Sequence, residues 1–274
     1  MKIGTILFLL LLGLSTLFSY DDFDMDGVDN LHDKCPNTLF SELVDISGCT
    51  IESLQSPHHF DLIVGVDYAQ TDYRTTEKTD IYSSSIQVDY YYKAFSFQAS
   101  TSYFDSTSSS FKENGLNDST LALYYNTTAF NKLNIKVGTG LILPTYNTSL
   151  SNNHTDYMIN LNLSYQLKDF TCFGGYNYTQ INDDDINTTE LAISYQDVEA
   201  YNFGLGYYPS NQTYTSISYN NSKSLYKNIE EIKTASLYLY YSINDNYFTT
   251  FSYAYGLSDS ASKHSTSFKI GYYF

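Results

Sequence analysis

Residues 22–33 read DFDMDGVDNLHD and place carboxylates at alternating positions, Asp22, Asp24 and Asp26, followed by Gly27, Val28, Asn30 and Asp33. Counted from Asp22, these residues occupy positions 1, 3, 5, 6, 7, 9 and 12 of a loop. Calcium takes about six to eight hard oxygen ligands in a flexible shell. Alternating aspartates on a curling chain turn their oxygens toward one centre. Glycine permits the sharp bend, and the backbone carbonyl that follows supplies a neutral ligand. The spacing therefore predicts a Ca2+ site built from Asp22, Asp24, Asp26, the carbonyl of Val28, Asn30 and Asp33. An unstructured acidic leader would account for the charge but not for the glycine or the periodicity.

The chain ahead of this loop reads as an address. Lys2 supplies a positive start, Ile6–Leu14 are almost wholly apolar, and smaller or mixed residues lead to Ser19. This is the layout of a secretory signal peptide over residues 1–19, cleaved after Ser19. The apolar run is shorter than the ~20 residues of a spanning helix, which argues against an anchor. No cysteine follows it directly, which argues against a lipoprotein.

Export carries Cys35 and Cys49, at the ends of CPNTLFSELVDISGC, into an oxidising compartment where a bridge is expected. A closed loop of this size gains roughly 3 kcal/mol in the chain-entropy picture. Over residues 22–49 the pattern DxDxDGV…DxCPNT…VD…GC resembles the thrombospondin type 3 repeat, which also occurs in the linker of OmpA-like outer-membrane proteins. The resemblance implies calcium held by Asp22, Asp24, Asp26, Asn30 and Asp33, with a Cys35–Cys49 disulfide. Asn30 stands where the repeat usually carries Asp, and one repeat is present where tandem copies are common. Both departures imply a weaker site, filled at millimolar calcium. Cys172 has no evident partner and reads as a small apolar residue in a strand.

These residues need elements to position them, and from residue 59 onward the pattern is that of strands. Leu133, Ile135, Val137 and Leu141 oppose Asn134, Lys136, Gly138 and Gly140. Tyr157, Ile159, Leu161, Leu163, Tyr165 and Leu167 oppose Asn160, Asn162, Ser164 and Gln166. Leu62, Val64, Val66 and Tyr68 oppose Asp61, Gly65 and Asp67, with Ile63 the exception. A period of two with a polar second face fits a barrel wall, lipid outside and a polar filling inside. The 30 Tyr and 17 Phe suit pleated chain and the membrane–water boundary. A mean hydropathy of −0.30 does not conflict, because only every second strand residue meets lipid. A soluble β-sandwich also alternates, but it carries more charge on its outer face than the 16% found here.

Strands are expected near 60–72, 81–92, 94–105, 117–127, 131–143, 155–167, 169–180, 189–209, 212–221, 233–243, 246–256 and 265–274, joined by alternately short and long connections. The span 189–209 is read as one long strand extended above the membrane. The fold class is thus an all-β, transmembrane, antiparallel up-and-down barrel of about twelve strands, ten or fourteen remaining open. It is preceded by the calcium-binding, disulfide-closed segment of residues 20–50 and a linker, 51–58. The final strand, STSFKIGYYF, aligns Phe268, Ile270, Tyr272 and Phe274 on one face and ends in Phe. It resembles the C-terminal signal read by the bacterial barrel-assembly machinery.

The formal charge is −16. Removal of Lys2 with the signal leaves 13 basic against 30 acidic residues, or −17. Such a chain repels nucleic acid and attracts cations. The function expected is a porin or small-solute and cation channel in the outer membrane of a Gram-negative cell, with the N-terminal segment in the periplasm. Inward candidates are Asp67, Asn134, Lys136, Asn160, Asn162 and Gln166. The alternative is a non-conducting structural or adhesive barrel touching lipopolysaccharide and other cells through its polar loops. An enzyme is not expected. His154 with Asp156, near Asp183–Asp185, is the nearest approach to a catalytic set, and no GxSxG is present. Bulk on the inward face decides between open and filled barrels, and the strand carrying Ser236, Tyr238, Tyr240 and Ser242 points to partial filling.

Overall fold

The computed structural model describes residues 22, 24, 28, 30, 33–38, 44, 47–50, 58–72, 78–109, 112–130, 132–146, 154–187 and 192–274. The expected signal peptide, Asp26 and nearly all of the linker lie outside the described residues. The strands are β1 (His58–Thr71), β2 (Thr79–Tyr92), β3 (Phe95–Thr107), β4 (Lys112–Leu116), β5 (Ser119–Ala129), β6 (Leu133–Leu143), β7 (Asp156–Leu167), β8 (Phe170–Gln180), β9 (Ile186–Asn187), β10 (Ala192–Ile193), β11 (Val198–Ser210), β12 (Thr213–Ser222), β13 (Ile232–Ser242), β14 (Tyr247–Gly256) and β15 (His264–Tyr273).

All but β4, β9 and β10 form one antiparallel barrel in which each strand pairs with its neighbours in sequence. Pairing of β1 with β15, from Asp61↔Tyr273 to Gln70↔His264, closes the ring. The last residue joins the ladder, with Phe274 N donating to Phe60 O at 2.8 Å. Closure leaves no barrel strand with an unpaired edge, which is the condition for a sheet in hydrocarbon.

Connections alternate strictly. Between barrel strands, short turns follow β2, β5, β7, β11 and β13, and longer connections follow β1, β3, β6, β8, β12 and β14. Lys93 (φ 52°) and Lys168 (φ 54°) take the left-handed conformation that lets two-residue turns match the strand twist. Both barrel termini lie at the short-turn end, as an even number of strands requires.

One strand departs from expectation. The wall strand expected at 189–209 is β11, Val198–Ser210. The residues before it belong to a loop with its own small pairing, β9 with β10. Alternation continued past the wall because the loop is itself extended chain. A second loop excursion, β4, pairs with the upper part of β3 from Tyr103↔Leu116 to Thr107↔Lys112.

The outer face is apolar and bare. Phe203 is 57% exposed, Ile217 60% and Val66 57%. Aliphatic residues occupy mid-strand, and aromatic pairs flank them. At the short-turn end these include Phe60–Tyr90 (4.8 Å between ring centroids), Phe95–Tyr125 (5.2 Å) and Phe170–Tyr207 (5.0 Å). Toward the long-loop end they include Tyr68–Tyr82 (5.1 Å), with Phe203–Tyr219 (5.4 Å) nearer mid-wall. An apolar band between two aromatic girdles is a lipid-facing surface. Cys172 belongs to it, opposite Tyr165 and Leu205.

Candidate functional site

The lumen is the candidate site, and the register defines its lining. Residues directly opposite on antiparallel strands share a face, so one inward residue assigns the whole ring. Asp67 faces Ser83 and Ser267; Asn134 faces Thr128 and Ser164; Lys136 faces Asn126 and Asn162. Asn160 faces Gly138 and Asn177, and Gln166 faces Thr171. The six residues named from alternation therefore all project inward.

Cross-strand hydrogen bonds lay many of these side chains along the wall. Thr128 Oγ1 donates to Asn134 Oδ1 at 2.8 Å, and Thr171 Oγ1 to Gln166 Oε1 at 2.6 Å. Asn220 Nδ2 donates to Ser236 Oγ at 2.9 Å. Asp89 receives two amides, from Gln87 Nε2 at 2.8 Å and Gln98 Nε2 at 3.0 Å.

The inward aromatic rings lie against the wall for a different reason. Tyr124, Phe173, Tyr214 and Phe248 each lie across a glycine of the neighbouring strand: Gly138, Gly204, Gly206 and Gly271. A Cβ at any of these glycines would sit inside the ring's van der Waals surface. The missing side chain is the recess that holds the ring flat. Lys136 caps one of these joints, its Nζ 4.2 Å from the centre of the Tyr124 ring. Alternation alone could not show this packing, because it depends on which residue stands opposite each aromatic.

Space remains inside. A cavity of about 230 Å3 borders Asp67, Ser83, Ser236, Ser252 and Ser267, and another of about 250 Å3 borders Ser85, Gln87, Ser100, Thr120 and Lys269. Toward the short-turn end the lining becomes aromatic. Phe248 lies 4.7 Å from Tyr273 between ring centroids, and the Tyr240 and Tyr273 hydroxyls are 2.9 Å apart. At the opposite end, the chain just after β6 reaches back to β3 and the start of β5. Tyr146 stacks on the inward Phe104 at 5.7 Å, and its backbone N–H donates to Asp118 Oδ1 at 3.0 Å.

The His154, Asp156 and Asp183–Asp185 region is part of this loop scaffold. Asp156 Oδ1 accepts from Asn182 N at 2.8 Å, and Asp185 Oδ1 from Tyr195 N at 2.9 Å. Burial pushes the Asp183 carboxyl above its usual range, and the charge of Asp156 adds to the shift. The N–H of Tyr195 holds Asp185 below its usual range. These carboxylates accept loop amides and so organise loop backbone.

In the N-terminal segment, Cys35 and Cys49 are joined by a disulfide. Gly48 (φ 73°) makes the turn into the second cysteine. Thr38 Oγ1 donates to Gly48 O at 2.7 Å across the loop. Asp24 Oδ2 accepts from Asn37 N and Thr38 N at 2.8 and 2.7 Å, and Asp33 Oδ1 accepts from Cys35 N at 2.7 Å. Asp24 Oδ1 and Asp33 Oδ2 are buried with no hydrogen-bond partner. Two carboxylates, each with one oxygen tied to the backbone and one buried and spare, fit an oxygen-ligated cation. Among the described residues no group of three or more His, Cys, Asp or Glu side chains converges closely enough to hold a metal. Asp26 lies outside that set.

The last-strand residues Phe268, Ile270 and Tyr272 face outward, opposite Val66, Val64 and Leu62. Phe274 stacks edge-on against Tyr272 at 4.6 Å and is 68% exposed.

The fold and its outer band define a transmembrane β-barrel of the outer-membrane type. No protein-family model matches the chain, and no curated protein is similar to it in sequence. Among solved structures it is similar to the COG4313 outer membrane channel from Pseudomonas putida F1, with a TM-score of 0.69 at 12% identity over 81% of this chain and 97% of that one. It is also similar to the NanC porin, with a TM-score of 0.51 at 14% identity over 78% and 98% of the two chains. At these identities the likeness is one of fold.

Proposed function

We propose that this protein is an outer-membrane channel for small solutes, with a preference for cations, whose N-terminal segment is a calcium-closed knob on the periplasmic side. The observation that carries this reading is the flattened inner wall. Polar side chains are tied along it and aromatic rings sit in glycine recesses, so the barrel interior is not filled by its own bulk. The two fold neighbours, named as a channel and a porin, support the same reading. The short-turn end holds both barrel termini and faces the periplasm, since short periplasmic turns and longer outer loops are the rule for such barrels. Residues 22–49 then lie at the periplasmic mouth. There, Asp22, Asp24, Asp26, the Val28 carbonyl, Asn30 and Asp33 hold Ca2+, which neutralises the spare carboxylate oxygens and stiffens the disulfide loop.

Single-channel conductance of the refolded mature protein in a planar bilayer tests this directly, with and without millimolar calcium. Steady, cation-preferring steps are expected, with calcium changing their amplitude or lifetime. A folded barrel that passes no current in either condition would sink the channel reading in favour of a structural or adhesive protein.

A further inference from the structure

Two inward carboxylates outside the sequence-derived lumen set lie side by side in the short-turn third of the barrel. Asp61 on β1 is directly opposite Asp89 on β2. They are 5% and 6% exposed, far more buried than ordinary wall carboxylates. Their hydrogen bonding is unequal. Both oxygens of Asp89 accept amides, from Gln87 and Gln98. Asp61 accepts from the Tyr91 hydroxyl, while its Oδ1 is buried with no hydrogen-bond partner. Tyr273 is the opposite neighbour of Asp61 on β15, so a tyrosine stands on each side of Asp61, Tyr91 on β2 and Tyr273 on β15.

Like charges on directly opposite residues repel, and an unsatisfied buried carboxylate oxygen is costly. A barrel tolerates this arrangement when something positive completes it. Lys136 completes it only in part: its ammonium lies over the Tyr124 ring and is attracted by the charge of Asp89, but it makes no ion pair with either carboxylate and leaves Asp61 Oδ1 without a partner. The place is polar, with carboxylate, phenol and side-chain amide groups side by side on the inner wall.

We propose that Asp61 and Asp89, with the Tyr91 hydroxyl, form a binding site for a hydrated metal cation inside the barrel, entered from the lumen. Asp61 Oδ1 is the open ligand. Asp89 supplies charge from a position locked by its two amides. Two carboxylates without a third hold such an ion weakly, as a site in a pore must. The consequence for permeation rests on the channel reading; the binding itself does not.

The test uses the full mature chain refolded in detergent or lipid, with Asp61→Asn and Asp89→Asn as near-isosteric variants. Asp245→Asn serves as the control, an exposed carboxylate in the turn between β13 and β14, outside the lumen wall. Reversal potential across a KCl gradient is expected to show cation preference in the parent and the control, and loss of that preference in D61N and D89N. Parent-like selectivity in D61N, or an equal loss in D245N, would overturn the proposal. Terbium luminescence excited through tyrosine reads the site without any current. In a chain already carrying Asp24→Asn and Asp33→Asn, emission is expected to fall further on adding Asp61→Asn, and unchanged emission would refute the site. A barrel that loses emission but carries no current keeps the site and discards the channel. Heat-modifiable migration on a gel confirms that each variant is folded.

Discussion

Individual residues in this barrel work by what stands opposite them. Phe248 is buried although it faces the lumen, because Gly271 gives its ring a recess. Gly271→Val would displace the ring into the lumen and overpack the wall, at about 1–3 kcal/mol. Lower conductance together with a lower temperature of heat modification is the expected outcome. Unaltered conductance would mean that the ring does not border the conducting path. On the outer face the controlling partner is lipid. Leu161, mid-strand on β7 and facing outward beside Val137 and Tyr176, should not tolerate charge: Leu161→Arg is expected to cost about 2–4 kcal/mol near the bilayer midplane, read as a loss of folding yield into vesicles.

At the scale of elements, the long-loop end is held by a few carboxylates that accept from neighbouring chain. Asp197, just before β11, accepts from the Tyr178 hydroxyl at 2.6 Å and from Ile181 N at 3.0 Å. Those two donors, the phenol first, hold its carboxyl below the ordinary range. A depressed folded-state value means the anchoring is fully present above the unfolded carboxylate range and is lost as pH falls through the lower folded value. Asp197→Ala is therefore expected to leave the loop 181–197 open to protease at neutral pH. The parent loop should become cleavable only in acid below the usual carboxylate titration, with the barrel itself resisting in both cases. Protection of the variant loop at neutral pH would show that other contacts hold it. The wall strands themselves were largely legible. Every expected strand but one starts and stops within two residues of the observed one, because turn-rich stretches interrupt the alternation where the wall ends. At 189–209 no such interruption marks the boundary. The residues before Val198 form extended loop chain of their own, and only the pairing of β11 with β8 and β12 separates wall from loop.

For the whole molecule, the C-terminal residue offers a way to test assembly apart from stability. Phe274 is 68% exposed, and its tie to the ladder is a backbone hydrogen bond to Phe60. Phe274→Ala should leave heat stability of the refolded barrel nearly unchanged; on the proposal that the last strand is an assembly signal, it should lower the amount inserted into outer membranes in cells. Equal cellular yield would remove the reading of Phe268, Ile270, Tyr272 and Phe274 as an assembly signal. By itself the sequence determined the all-β class, the approximate strand positions and the inward or outward side of most wall residues. These follow from a local period of two and from turn composition, which need no knowledge of distant chain. Only the tertiary structure decided the ring of twelve with β1 on β15, the seating of aromatic rings on glycines, and the meeting of Asp61 with Asp89. Each depends on cross-strand register, which joins residues far apart in sequence and is set by how the whole sheet closes.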